Sequence, residues 1–227
     1  MGERRPLESV GFVGLGQLGG RMVRRLVDAG RPVVAWTRTP AEKSVPRGVE
    51  LVATPAEVAM RSRVVLGCLL DDAAIERTYL DPDGLLSAVR PGTVLVEHGT
   101  FSPSLARELA RRSATVGADF LDIPVTGGPD GADAGTLIGM AGGSAIVLDG
   151  VRPFLSAYTS RVHYVGGSGS GARLKLVNQL LVTVHMAAAR RRARWVFPVL
   201  AMVSATCAST SLCKSGLVTE RASCSAW

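Results

Sequence analysis

The chain has 227 residues, room for one large domain or one domain and part of another, and 47% of them are apolar, which suits a sizeable globular core. Its formal charge of +7 is unevenly placed: beyond residue 189 six basic residues stand against one acid, so the body before it is nearly balanced and its charge points to no nucleic-acid partner. The apolar run near the N-terminus is broken by Gly11, Gly14 and Gly16, and the run 195–208 is too short to span a bilayer, so neither a leader nor a membrane anchor is expected.

Val10–Val13 is a short apolar run ending in glycine and reads as a buried strand. Gln17–Ala29 has helical spacing, with Gly30 and Pro32 as stop signals. Strands are predicted at Pro32–Trp36, Val64–Leu70, Thr93–Glu97 and Ala118–Ile123. Helices are predicted between them, around Ala56–Met60, Ala73–Tyr79 and Ser104–Arg112. This alternation predicts an α/β fold of Rossmann type, a doubly wound, mostly parallel sheet covered on both faces. Thr136–Ala141 reads as a later strand, and Ser144 as the cap of a helix running to about Tyr158. A glycine-rich loop at Gly166, Gly167, Gly169 and Gly171 leads into a long, mostly apolar helix from Ala172 to Ala189. From Arg190 periodicity fades, acids nearly vanish, and no stable domain is expected. The expected organisation is therefore a dinucleotide-binding domain over 1–170, a long interdomain helix over 171–189 and a tail over 190–227.

Gly14, Gly16 and Gly19 form G-x-G-x-x-G between a strand and a helix. Gly14 permits the tight turn, Gly16 lets a pyrophosphate approach the backbone, and Gly19 allows close helix–strand packing. Leu15, Gln17 and Leu18 complete the loop, and the helix start offers free N–H groups to phosphates. The stretch after the second strand, Trp36-Thr37-Arg38-Thr39-Pro40, lacks the acid that would hold the ribose hydroxyls of NAD. Arg38 offers a 2′-phosphate a forked pair of charged hydrogen bonds, with Thr39 and Lys43 beside it, which favours NADP over NAD. A solvated surface arginine is the alternative reading of Arg38. His98, His163 and His185 have no ligand spacing and read as structural. No metal site is expected, since Cys207, Cys213 and Cys224 lack zinc-ligand spacing. With Cys68 the one cysteine before them, a reduced cytoplasmic setting is the default.

Three blocks then resemble the β-hydroxyacid dehydrogenase family, in that family's order: Gly11–Gly19; Asp122-Ile123-Pro124-Val125-Thr126-Gly127-Gly128 with its continuation to Gly143; and Gly169-Ser170-Gly171 followed by Lys175-Leu176-Val177-Asn178-Gln179. The resemblance covers residues 10 to about 189. It implies hydride transfer between a nicotinamide cofactor and a small carboxylate bearing a hydroxyl or carbonyl. By resemblance Lys175 is the acid/base, and Thr126, Gly127, Gly128, Asn178 and Gln179 hold the substrate. Thr100 lies near the nicotinamide, and Leu69 and Leu70 line the cofactor. The bland reading of Lys175 is a solvated helix lysine.

Family members continue into a second, helical domain that closes the site and builds a homo-oligomer. Here the match stops near Ala189, as expected of a truncated or frame-shifted chain that lacks this domain. Two functions follow: a working reductase, or a cofactor-binding remnant with little turnover. Imine reduction on the same scaffold is less favoured because of Lys175, and nucleic-acid binding by the basic tail is a weaker third class.

Overall fold

The computed structural model describes residues 9–39 and 45–209, those after 191 by backbone alone. The chain divides into two units, residues 1–177 and 178–227. In the first, β1 (Val10–Val13), α1 (Gly19–Asp28), β2 (Val33–Trp36), β3 (Val49–Leu51), α2 (Pro55–Arg61), β4 (Val64–Gly67) and α3 (Asp72–Leu80) follow one another. A 3-10 turn at Leu85–Ser87 leads to β5 (Val94–Glu97), α4 (Pro103–Thr115) and β6 (Asp119–Asp122). Then come β7 (Val125–Thr126), α5 (Gly128–Ala134), β8 (Leu137–Gly142), α6 (Ala145–Leu155), β9 (Thr159–Gly166) and the start of α7 (Ser170–Ser209).

The sheet runs β3-β2-β1-β4-β5-β6-β8-β7, with β9 paired to β8. Pairing is parallel from β3 through β6 and again between β8 and β9, while β8 is antiparallel to β6 and β7. The expected mostly parallel Rossmann architecture is therefore present. The winding direction reverses between β1 and β4, and a crevice opens at that reversal, beyond the carboxyl ends of the strands.

The strands read as continuous apolar runs because each feeds two cores. Phe12, Leu66, Val96 and Leu121 pack on one face, with Met22 and Leu26 of α1 and Leu148 and Val151 of α6. Their neighbours Val13, Val65, Leu95 and Phe120 pack on the other, with Val58 of α2, Ile75 and Tyr79 of α3 and Leu105 and Leu109 of α4. Helix starts are set by side chains: Thr54, Asp71, Ser102 and Ser144 each accept the backbone N–H three residues on.

Several boundaries differ from expectation. The strand expected over Val64–Leu70 ends at Gly67: Cys68 N still bonds Val13 O, and Cys68–Asp71 line the crevice. The strands β3, β7 and β9 and the helix α5 are additional, and each is short, polar or glycine-rich. The helix expected to end at Ala189 continues to Ser209, so the expectation of an unstructured tail fails for 190–209. Alanine and arginine, which fill 187–194, are good helix formers whether or not they repeat with an apolar period. Residues 210–227 lie outside the described residues. Among the described residues, no helix is long and apolar enough to cross a membrane.

In α7, Leu174, Leu176, Val177, Leu180, Leu181, Val182, Val184 and Met186 are all at least 40% exposed. Each leucine-sized side chain left wet forgoes roughly 1.5–3 kcal/mol of burial, and a contiguous apolar patch of this kind is sticky. The chain is therefore expected to self-associate. Size-exclusion chromatography with light scattering checks this, and a monodisperse monomer at micromolar concentration would contradict it.

Candidate active site

Three strand ends meet at the crevice. Gly14–Gly16 follow β1, Trp36–Thr39 close β2 and continue from it, and Cys68–Asp71 follow β4. With Pro55, the α3 residues Ala74, Arg77 and Thr78, and Asp81 and Asp83 beyond them, they enclose a cleft of about 520 Å3. Of the residues expected to hold the cofactor, Gly14, Leu15, Gly16, Arg38, Thr39, Leu69 and Leu70 are brought together here. Leu70 is 84% exposed, an apolar side chain held out in the open cleft. Gln17 and Leu18 form the turn into α1 without lining the cleft. Thr100 is half-buried and also stands outside the lining. Lys43 lies outside the described residues.

The glycine loop has the anatomy its spacing implies. Gly14 has φ +93°, and a Cβ there would strike the carbonyl oxygen of Cys68. A Cβ at Gly19 would strike the carbonyl oxygen of Gly14 and crowd Phe12, so α1 meets β1 closer than any side chain permits. At Gly16 nothing lies within 4 Å of the Cβ position. Among the described residues, the N–H groups of 15–18 find no acceptor. Open space, four free donors and a helix start fit a pyrophosphate. Arg38 is exposed at the mouth of the same cleft, and no acid stands between 33 and 39. Arg77 on α3 is a second cation in the lining that the sequence did not single out; helical numbering alone gave no sign that it faces the crevice.

The other candidate residues stand apart from this cleft. Thr126 ends β7 and is half-buried, and Gly127 and Gly128 follow with φ +124° and +65°. Lys175 is only 7% exposed, and burial lowers its pKa from the usual lysine value. Among the described residues it has no hydrogen-bond partner or ion-pair partner. Its helix is fastened from below. Asp122 Oδ1 accepts from Gly169 N and Oδ2 from Ala172 N, both at 2.8 Å, so a β6 carboxylate caps α7 one turn before Lys175. Burial pushes the Asp122 pKa up while these amide donors pull it down. A Cβ on Gly142 would come within 2.6 Å of Asp122 Oδ1, and one on Gly171 would strike the Asp122 and Met140 carbonyl oxygens. In the second unit, Asn178 is half-buried with Nδ2 lacking a partner among the described residues, and Gln179 is exposed.

Residues 9–166 match the NAD binding domain of 6-phosphogluconate dehydrogenase. The chain belongs to the β-hydroxyacid dehydrogenase family. It is 36% identical over 180 residues to 2-(hydroxymethyl)glutarate dehydrogenase of Eubacterium barkeri, covering 78% of this chain and 60% of that protein. It superposes on 3-hydroxyisobutyrate dehydrogenase of Mycobacterium tuberculosis, solved with L-serine, with TM-score 0.75 and 32% identity over 80% of this chain and 62% of the other. Psf3, solved with NADP+ and 2-OPP, gives TM-score 0.80 and 28% identity over 88% of this chain and 73% of the other. The chain thus spans about three-fifths of the length of the family members it matches, and its cleft is that of a nicotinamide-dinucleotide-binding domain.

Two buried titratable groups flank the cleft's loops, and of these Glu97 escaped the sequence reading. Glu97, at the end of β5, accepts from Leu69 N (3.1 Å), Gly99 N (2.8 Å) and the Tyr79 hydroxyl (3.2 Å). Burial raises its pKa to about 7 despite these donors. His98 Nδ1 meets Ile123 O at 2.7 Å and Nε2 meets the Tyr158 hydroxyl at 2.9 Å, and burial lowers its pKa to about 4. His98 was read as structural, and its two partners are a backbone carbonyl and a buried tyrosine.

These shifts act on stability in opposite directions. The fold holds a proton on Glu97 that the unfolded chain releases from about pH 4.5, so this contribution is full below 4.5 and lost as pH rises to about 7. The fold keeps His98 neutral, so its contribution is full above about pH 6.5 and lost as pH falls to about 4. Between pH 4.5 and 6.5 the two slopes cancel. In Glu97→Gln the opposing glutamate slope is gone, and stability should rise from pH 5.0 to 6.5 by about 2 kcal/mol more than in the parent. Urea denaturation at pH 5.0 and 6.5 measures this, and identical pH responses of the two proteins would refute it.

Proposed function

We propose that the chain is the NADP-binding part of an oxidoreductase that interconverts a small β-hydroxyacid, or a 2-hydroxyacid, and its semialdehyde or oxo acid. The observation that carries the cofactor half is the exposed Arg38 at the mouth of a glycine-loop cleft with no acid at the end of β2. An acid there would pair with ribose hydroxyls and repel a 2′-phosphate, whereas a guanidinium binds that phosphate in a forked pair. Lys43 is assigned beside it by sequence alone.

The substrate class follows from chemistry shared by the relatives' names. 2-(Hydroxymethyl)glutarate, 3-hydroxyisobutyrate and L-serine each carry a hydroxymethyl group on the carbon next to a carboxylate. Thr126 and the N–H groups of Gly127 and Gly128, in their left-handed turn, suit that carboxylate. When bound, the nicotinamide supplies or accepts the hydride. Lys175 then gives a proton to the carbonyl oxygen as reduction proceeds, and takes it back from the hydroxyl in oxidation. Burial without an acid partner favours its neutral form and brings its proton affinity towards the working range of an acid/base group. Asn178 and Gln179 are assigned to orient substrate and lysine by their place in the family's helix block.

A second reading is dinucleotide binding with little turnover, and the exposed apolar residues of α7 favour it. Single-turnover oxidation of NADPH by small aldehydo- and oxo-acids separates the two readings: cofactor binding without turnover selects the second.

Two outcomes test the first reading. NADPH should bind more tightly than NADH, and Arg38→Ala should remove about 1.5–3 kcal/mol of that preference; equal affinities in the parent would count against the assignment. Lys175→Ala should lower kcat at least about a hundredfold with little change in cofactor affinity. An unchanged kcat would move the acid/base role to another group.

A further inference from the structure

The loop after β4 lines the cofactor cleft through Leu69, Leu70 and Asp71, yet its backbone is held from behind by a side chain that never reaches the cleft. Oε1 of Glu97 accepts two backbone N–H groups at once, from Leu69 at 3.1 Å and from Gly99 at 2.8 Å. The first belongs to the loop after β4 and the second to the loop after β5, one residue before Thr100. Oε2 is engaged by the hydroxyl of Tyr79 on α3. The carboxyl is wholly buried, and glycines make its room. A Cβ on Gly67 would strike Oε2, and one on Gly99 would lie 2.9 Å from Oε1 and 2.5 Å from Leu69 O. A buried carboxyl, three converging donors and two cleared positions make a built clamp between two loops.

We propose that Glu97 is a positioning residue: its Oε1 locks the loops after β4 and β5 together and so sets the wall of the cleft against which the dinucleotide lies. This rests on the cofactor reading given under Proposed function. The arrangement depends on an acceptor at Oε1, with charge strengthening the bonds it already makes. Glutamine can keep that acceptor and turn its amide towards Tyr79, whereas leucine leaves both N–H groups buried and unpaired.

The test uses the full chain. NADPH affinity, read by fluorescence at pH 8, should change less than about threefold in Glu97→Gln. It should fall at least about tenfold in Glu97→Leu, an expectation from the cost of unpaired buried donors. Amide hydrogen exchange without cofactor reads the clamp directly. Leu69 and Gly99 should be protected in the parent. After correction for intrinsic rates, that protection should drop severalfold between pH 8 and pH 6 as the carboxyl takes up its proton, and should stay level in Glu97→Gln. Around Glu97, Tyr79 is shifted well above the usual tyrosine value, Cys68 is pushed up to about 12 and His98 down to about 4, so none titrates in that window. Asp122, its neighbour on β6, stays in both proteins, and any effect of it appears in both.

Failure of the parent to bind either NADPH or NADH would overturn the cofactor reading and this proposal with it. Binding by the parent that is undiminished in a folded Glu97→Leu would overturn the clamp alone. If Glu97→Leu does not fold, exchange in the parent decides: Leu69 and Gly99 amides as fast as open-loop amides, or a pH response that persists unchanged in Glu97→Gln, would overturn it.

Discussion

The last rung of the sheet sets what this domain can be. Trp36, Val13, Gly67, Glu97, Asp122 and Gly142 are in register across β2, β1, β4, β5, β6 and β8. Two of the six are buried carboxylic acids, and each has a glycine beside it whose Cβ would occupy the carboxyl's space. Burying an unpaired carboxylate is too costly for a fold of marginal stability. These two are tolerated because the loops that leave the sheet at this rung turn their backbone N–H groups onto them: 69 and 99 onto Glu97, 169 and 172 onto Asp122. Each carboxyl in turn ties two of those backbone stretches together. The first set includes Leu69, which lines the cleft, and the second starts the helix that carries Lys175.

The β1–α1 junction obeys a related constraint, expressed through absent atoms. Gly14 and Gly19 are places where any side chain would collide with backbone, whereas Gly16 faces open space. Two of the three glycines therefore serve the fold and the third leaves the approach to the loop clear. Between them the side chains differ in setting: Leu15 is buried, Gln17 exposed and Leu18 half-buried.

What the sequence made legible was what is local. The glycine spacing, the missing acid after β2 and the two-faced apolar strands β1, β2, β4, β5 and β6 each depend on a few consecutive residues. Arg38 and Thr39 could be placed because β2 delivers them to the cleft whatever else the chain does. The short strands β3 and β7 were illegible because two or three residues carry no period, and β9 because its exposed side chains mask the alternation. Arg77 was hidden for want of a face to assign it to. Glu97 was read only as the end of a strand, since its partners are backbone N–H groups whose identity no residue type betrays, one of them 28 positions away. The extension of α7 past 189 was missed because loss of amphipathic period was taken for loss of helix, although alanine and arginine need no period to be helical.

The same physical cause, removal of water at this edge, moves the buried groups in opposite directions on the pH scale. It raises the carboxyls of Glu97 and Asp122 and lowers the amine of Lys175. Their roles differ through compensation. Asp122 is surrounded by amide donors, and Glu97 has two amides and a hydroxyl, so their hydrogen bonds are committed to holding the backbone. Lys175 has no such partner among the described residues, and nothing offsets the cost of keeping its charge. A buried group whose protonation no structural contact defends is the one that can exchange a proton without loosening the fold. That difference in compensation is what supports the acid/base role proposed for Lys175.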